Sequence, residues 1–264
     1  MRTDYETLAV SLIEPHILRI MLNRPEAANA FNTQMSRELM EAFEAFQLDL
    51  YDLRAIIVTG AGEKAFCAGG DLKERKGMTD AQWQAQHAVF ERMARAILAC
   101  PIPVIAAVNG AAFAGGCEIA ALCDFIYASD NARFALTEVT LGIMPGAGGT
   151  QTLSRAIGER RAKELILTGT PFSAADAALW GFVNKVLPQA ELLDAALTTA
   201  RRIASNGPIA VRQAKQAIAR GLQMSLADGL AFEIEAYNRM VPTEDRREGI
   251  LAFNEKRKPN FRGI

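Results

Sequence analysis

Two carboxylates and three glycine-bearing turns are the places where this chain could do chemistry. Residues 109–124 read N-G-A-A-F-A-G-G-C-E-I-A-A-L-C-D. The apolar run Val104 to Val108 stops at Asn109-Gly110, a strong turn signal. After Gly115-Gly116 comes an apolar-periodic segment carrying one charge, Glu118. The pattern predicts a buried strand, a tight turn and a helix whose first turn is bare glycine. Such a start leaves backbone N–H groups without intrahelical partners, at the positive end of the helix dipole. A carboxylate one turn inside an otherwise apolar helix is costly unless it is used or paired. Two readings of Glu118 therefore stand side by side: a working acid, or a carboxylate that caps its helix or closes a core ion pair. Residues 64–73, K-A-F-C-A-G-G-D-L-K, place two glycines after a strand, which predicts a loop where backbone approaches something closely. Residues 141–150, L-G-I-M-P-G-A-G-G-T, form a third such loop just past Glu138. Taken alone, Glu138 reads as a surface acid after a short strand.

Several other chemistries are disfavoured. The only histidines, His16 and His87, are expected at the surface, one after a turn proline and one on a helix among polar residues. Neither H-E-x-x-H nor G-x-S-x-G occurs, so no metal site and no hydrolase triad is expected. The glycines at 146–150 lack the Lys-Ser/Thr of a nucleotide-binding loop, and no G-x-G-x-x-G follows a strand. Cys67, Cys100, Cys117 and Cys123 have no C-x-x-C spacing and read as buried free thiols. Net charge is −1, which provides no field to draw in nucleic acid or an anionic membrane. Basic clusters such as Arg160-Arg161 and Lys256-Arg257-Lys258 are interspersed with acids and read as solvated faces. Residues 103–128 are apolar, but the turn, the glycine pair and Glu118 break them well short of the roughly 20 residues a membrane span needs. The first residues, M-R-T-D-Y-E-T, carry no apolar targeting core. A soluble, cytoplasmic protein is expected.

The elements that must position these residues follow from periodicity. Thr7 to Leu12 and Ile17 to Leu22, split by Glu14-Pro15, predict a hairpin. Asn32 or Thr33 caps a helix with the stripe Met35, Leu39, Ala42, Phe43, Phe46 and Leu50. Ile56 to Thr59 is a buried strand. Asp80 caps a long helix that Pro101 and Pro103 stop. Strands are expected at 104–108, 124–128 and 134–137, and a helix starts near Thr150. After Thr168 only helices are predicted, at 189–205, 208–220, 225–240 and 243–254. One of them carries the stripe Leu226, Leu230, Ile234, Tyr237.

Three segments, in this order and spacing, carry a family resemblance: A-F-C-A-G-G-D-L-K at 65–73, A-A-F-A-G-G-C-E at 111–118 and F-A-L-T-E-V-T-L-G-I-M-P-G-A-G-G-T-Q at 134–151. Together they resemble the crotonase superfamily and, within it, the enoyl-CoA hydratases. The similarity runs from Asn23-Arg24-Pro25 to E-G-I-L-A-F-N-E-K-R-K-P-N-F at 248–261. That tail and D-L-K-E-R at 71–75 are also similar to methylglutaconyl-CoA hydratases. The resemblance implies an α/β fold, a crotonase-like spiral of β-β-α units giving two roughly perpendicular sheets, with residues 1–190 as its core. Residues 191–264 would be a C-terminal helical region of the same domain that drives assembly of homotrimers or pairs of trimers. The implied substrate is an acyl-CoA, and the implied reaction is reversible addition of water to a 2-enoyl thioester. A methylglutaconyl-CoA-type hydratase, or another acyl-CoA isomerase or hydrolase of the family, is the alternative. No metal or redox cofactor is implied, coenzyme A being part of the substrate, and neither nucleic acid nor membrane is an expected partner.

Carried over residue by residue, the oxyanion hole falls on the N–H groups of Ala68 and Gly115, and the catalytic acids on Glu118 and Glu138. Coenzyme A would be held by Ala68, Gly69, Gly70, Asp71, Leu72 and Lys73, and by the backbone at Glu26, Ala28 and Ala30. Phe253 and Lys256 match residues that reach the nucleotide from an adjacent subunit. The chemistry suits these groups. Charge arising on the thioester oxygen is stabilised by aimed N–H donors, and two carboxyls serve as base for water and acid for the α-carbon. The chain departs from the pattern at Ala114, where hydratases commonly have a first glycine, and at Gly70, where many have alanine. Phe113 and Ala114 stand where the acyl group is expected to pass, so substrate choice is expected to turn on them.

Overall fold

The computed structural model describes residues 1–264. β1 (Leu8–Glu14) and β2 (Ile17–Leu22) form the expected antiparallel hairpin. α1 (Thr33–Leu48) starts at Asn32, whose side chain accepts from the Met35 N–H, and buries Met35, Leu39, Ala42, Phe43 and Phe46. Leu50 lies beyond the helix and packs on the core from the following turn. The chain then runs through β3 (Ala55–Gly60), β4 (Ala65–Cys67), α2 (Leu72–Arg75) and α3 (Asp80–Leu98). Thr79, not Asp80, caps α3. Its hydroxyl accepts from the Gln82 N–H while the Gln82 side chain accepts from the Thr79 N–H, a reciprocal arrangement that Asp80 cannot supply from inside the first turn.

Two further passes follow: β5 (Val104–Val108), β6 (Ala111–Phe113) and α4 (Gly115–Leu122), then β7 (Phe125–Ser129), β8 (Arg133–Ala135), α5 (Gly149–Ile157) and α6 (Glu159–Thr168). β9 (Phe172–Ser173), α7 (Ala174–Leu179) and β10 (Lys185–Leu187) close the strand-bearing part. The helices α8 (Leu192–Ala204), α9 (Pro208–Gly221), α10 (Leu226–Asn238) and α11 (Glu244–Asn254) complete the chain. The sequence reading missed both strands after Thr168. They are two and three residues long, too short to show a period, and exist because β8 and β7 offer them open edges.

One sheet has the order β1-β2-β3-β5-β7-β10 and the other β4-β6-β8-β9. Each pass lays one strand in each sheet: β3 then β4, β5 then β6, β7 then β8. All neighbours from β2 to β10 in the first sheet are parallel, as are β4, β6 and β8 in the second. The β-β-α spiral implied by the resemblance is the observed fold.

The central strands read as unbroken apolar runs because both faces are covered. Ile56, Val58, Val104, Ala106 and Ile126 join the large core with α1, α3 and α4. The alternate residues Ala55, Ile57, Ile105, Ala107 and Tyr127 meet Leu192, Ala196 and Ala200. Thus α8, placed by sequence in the helical tail, forms a layer on the first sheet. By contrast α9 buries only Pro208 and α10 only Ala236.

Close backbone contacts fix the strand ends and the approach of α4 to the second sheet. Asn109 accepts from the Gly60 N–H and donates to the Gly62 carbonyl, tying the end of β5 to the end of β3. Gly116, in the first turn of α4, crosses β4 so closely that a Cβ there would sit 2.1 Å from the Cys67 carbonyl oxygen. Backbone on both sides leaves no cheap escape. Gly116→Ala is expected to cost at least about 1–3 kcal/mol, the usual range for overpacking, seen as a lower denaturant midpoint at unchanged slope.

Candidate active site

The ends of three neighbouring parallel strands deliver the three glycine-bearing segments to one place. Gly70 follows β4, Gly115 follows β6 and Glu138 follows β8. Loops at the C-terminal ends of parallel strands are where such sheets gather binding groups. Here they border a cavity of about 900 Å³ lined by Ala68, Gly70, Ala114, Gly115, Glu118 and Glu138, among others.

Glu118 is 3% exposed. Its Oε1 accepts from the Ala147 N–H at 2.8 Å and the Gly149 N–H at 2.7 Å. It neither caps its own helix nor closes an ion pair; its donors are the loop before α5 and Gly149, the first residue of α5. The loop comes this close because residue 149 has no side chain: a Cβ there would lie 3.0 Å from Glu118 Cγ. Burial raises the Glu118 pKa, and the two N–H bonds pull it part of the way back. Glu118 Oε2 makes no hydrogen bond to the protein and borders the cavity.

Glu138 opens a single 3₁₀ turn, Glu138–Leu141, and is 7% exposed. It is no surface acid. Both carboxylate oxygens are buried without any hydrogen-bond partner. Burial, reinforced by the nearby Glu118 charge, pushes its pKa up to about 7. The two acids thus differ in environment, one held by backbone donors and one without a hydrogen-bond partner.

The donor pair differs from the sequence reading. The Ala68 N–H donates to the Ala28 carbonyl at 3.1 Å, so it is already used. Phe31 forms a parallel bridge to Gly70, bonding to Gly69 O and Asp71 N on either side. In that pattern the N–H of the bridged residue points away from its partner. The Gly70 N–H is left without an acceptor, and Gly70 lines the cavity. Gly115 opens α4, where an N–H has no intrahelical acceptor. Ala114 turns the chain into α4 at φ 49°, ψ −126°, a conformation that suits glycine and costs other residues about 1–3 kcal/mol.

The two segments expected to hold coenzyme A lie against each other. Besides the Ala28–Ala68 bond, Arg24 pairs with Asp71 at 2.9 Å and donates to the Ala30 carbonyl. Burial opposes ionisation of Asp71, but Arg24 and the N–H groups of Lys73 and Glu74 outweigh it and hold the pKa below its ordinary value. Glu26 lies in the turn Pro25–Ala27. Of these residues Ala68, Gly70 and Leu72 line the cavity, whereas Glu26, Ala28, Ala30, Gly69, Asp71 and Lys73 do not. Phe253 is 83% exposed on α11, Lys256 follows that helix, and neither reaches the cavity.

Sequence reasoning missed the far wall. Trp83, Gln84, His87 and Glu91 line the cavity from α3, and Leu141, Ile143 and Met144 face them. His87 is therefore a cavity residue, packed against Gly146, and not the plain surface group expected. The spacing 83, 87, 91 marks one helix face, but a polar face reads as solvated. Of Phe113 and Ala114, only Ala114 lines the cavity. No group of three or more His, Cys, Asp or Glu is placed to hold a metal ion, and no helix is long and apolar enough to cross a membrane.

The chain thus combines a β-β-α spiral with a cavity bordered by two unlike carboxylates and free backbone donors. The family described as Enoyl-CoA hydratase/isomerase matches residues 13–263, and this chain belongs to it. The short-chain-enoyl-CoA hydratase of Clostridium acetobutylicum is 44% identical, over 93% of this chain and 94% of its own. The mitochondrial enoyl-CoA hydratase of Pongo abelii is 42% identical, over 92% and 82%. The crystal structure of an enoyl-CoA hydratase from Bacillus anthracis superposes with a TM-score of 0.96 at 46% identity, covering 98% of this chain and all of that one.

The bare carboxyl of Glu138 sets a pH dependence of stability. Below its ordinary value of 4.5 the group is protonated in both folded and unfolded chains. Between 4.5 and about 7 the unfolded chain releases its proton while the folded chain keeps it, so stability falls as pH rises. Glu138→Gln escapes this loss. At pH 8 the variant is expected to exceed wild type by up to about 3 kcal/mol, with the gap closing near pH 4.5, as read by urea unfolding at the two pH values.

Proposed function

We propose that this chain catalyses reversible hydration of a 2-enoyl-CoA thioester to a 3-hydroxyacyl-CoA. The observation that carries the reading is the pair of unlike buried carboxyls, Glu118 tied by two N–H groups and Glu138 with no partner at all. The thioester oxygen accepts from the N–H groups of Gly70 and Gly115. Negative charge gathers on that oxygen as water adds, and losing one such donor typically costs roughly 2.7–4 kcal/mol of transition-state stabilisation. Glu118 uses its free Oε2 to take a proton from water, while the resulting oxygen nucleophile bonds to the β-carbon. Glu138, protonated near neutrality, delivers its proton to the α-carbon. The pair works with one proton between them, and proton exchange with solvent resets it. The nucleotide lies along the Arg24–Ala30 and Ala68–Lys73 segments. The reaction so described needs no metal or redox cofactor.

The exposed stripe of α10, Leu226, Leu230, Ile234 and Tyr237, supports self-association, because one face of a helix is left apolar and uncovered. The occupant we assign is a second copy of the chain, in a homotrimer or a pair of trimers, which would bring Phe253 and Lys256 of one copy toward the nucleotide of the next.

Three outcomes check this reading. Glu118→Gln and Glu138→Gln are each expected to slow hydration of crotonyl-CoA at least about 100-fold in protein whose circular dichroism is unchanged; activity within about tenfold of wild type rejects the assignment. Wild-type kcat/KM is expected to fall as pH climbs past about 7, where the pair loses its last proton, and to fall again in acid, where both carboxyls are protonated. Leu230→Asp with Ile234→Asp is expected to convert an oligomer to monomer in sedimentation velocity; an unchanged sedimentation coefficient places the contact elsewhere.

A further inference from the structure

One side chain lies against both glycines whose N–H groups open to the cavity. Phe31 is buried just ahead of α1 and touches the cavity with its ring. At Gly70 it acts through its backbone. The Phe31 N–H donates to the Gly69 carbonyl, and the Phe31 carbonyl accepts from the Asp71 N–H, both at 2.9 Å. Bonds on either side of Gly70 are thus taken by Phe31, and the Gly70 N–H is turned the other way. A Cβ on Gly70 would lie 3.9 Å from Phe31 Cε2, an ordinary contact. At Gly115 the ring fits far more tightly. A Cβ there would lie 2.5 Å from Phe31 Cζ and 2.6 Å from Cε1. Gly115 is not among the glycines with positive φ, so the ring, and not the backbone, demands glycine at this position. Phe90 of α3 props the ring edge to face, with centroids 4.9 Å apart and planes at 78°.

We infer that Phe31 is a positioning residue that sets the spacing of the two donors: its backbone aims the Gly70 N–H, and its ring fixes how near the Gly115 N–H comes. The inference rests on the reading that these two N–H groups receive a thioester oxygen. The strands alone do not fix that spacing. The β4–β6 ladder shifts register after Ala65 and ends at the pair Cys67–Ala112, short of both donors. Donors stabilise developing charge only when already aimed, so something beyond the ladder must hold them. Phe31 is in contact with both. The same ring also places one donor relative to the base, because Glu118 Oε2 lies 3.7 Å from the Cβ position at Gly115. A side chain that merely filled the core would have no reason to meet two separate donor-bearing turns at their glycines.

The test reads the donors directly with two thioesters of equal acyl length, acetoacetyl-CoA and butyryl-CoA, on the full chain. Acetoacetyl-CoA loses a proton to solvent from the carbon between its carbonyls. The charge spreads to the thioester oxygen, and the enolate has its own conjugated absorbance. Butyryl-CoA stays neutral and reports binding alone. Wild type is expected to hold acetoacetyl-CoA as the enolate. Gly115→Ala, which drives a methyl into the ring, is expected to lower the acetoacetyl-to-butyryl affinity ratio at least about tenfold. Phe31→Leu is expected to lower the ratio about threefold or more in wild type, yet to raise it by a similar factor in the Gly115→Ala background, where it makes room for the methyl. That reversal of sign supports the inference. A Phe31→Leu change that lowers the ratio in both backgrounds, or in neither, overturns it. Should Gly115→Ala not fold, Phe31→Leu alone decides, and a ratio within about twofold of wild type overturns the inference. A wild type that leaves acetoacetyl-CoA neutral overturns the donor assignment and this inference with it. Neither ligand has a double bond to hydrate, so a protein that shows the reversal but hydrates no enoyl thioester loses the proposed reaction and keeps the positioning role.

Discussion

The bond on which the site depends joins one oxygen of a buried carboxylate to two backbone N–H groups. Glu118 Oε1 holds Ala147 and Gly149, and through them the whole turn before α5. Ionised carboxylates are expensive inside a protein unless donors meet them. Here the donors come from a loop that contributes nothing else polar, so the carboxylate orders the loop and the loop keeps the carboxylate usable. The same contact makes the two acids unlike. Glu118 has its pKa pulled back by the two N–H groups, while Glu138, with no donor, is pushed to about 7. One geometric difference thus gives two chemically identical side chains different proton affinities.

The spiral brings these groups together with little chain. β4, β6 and β8 are adjacent and parallel, so whatever follows each strand emerges at one edge of one sheet. That is why segments far apart in sequence, each with its own turn, converge on one cavity. The other sheet, buried on both faces, provides the rigid body behind them, and α8 seals its second face. Rigidity matters because N–H donors stabilise developing charge only when already aimed. The Ala114 turn carries backbone strain at the same spot, which the surrounding packing sustains: the Ala114 N–H donates to Ala135 of β8.

The layout also explains which part of one chain stands uncovered. α9 and α10 pack on one another but bury almost nothing on the core, and apolar residues of α10 face outward. A single chain has no layer to offer them. The exposed Phe253 on α11 belongs to the same outlying region.

The sequence by itself determined the strands and helices with clear periods, the three glycine-bearing turns and Glu118, but not Glu138, because the former are local signals: alternation, spacing, and a charge stranded in an apolar run. It also carried a family resemblance that foresaw the spiral. Tertiary structure alone decided the rest. Whether the Ala68 or the Gly70 N–H is free depends on what Ala28 and Phe31 do across the sheet edge, and no local pattern encodes that. The state of Glu118 was open until a loop 29 residues later reached it. The strands β9 and β10 exist only as partners of β8 and β7. His87 and its polar neighbours on α3 read as solvent-facing in sequence, since polarity marks water and a lined cavity alike. Only the path of the chain says which of the two a polar face meets.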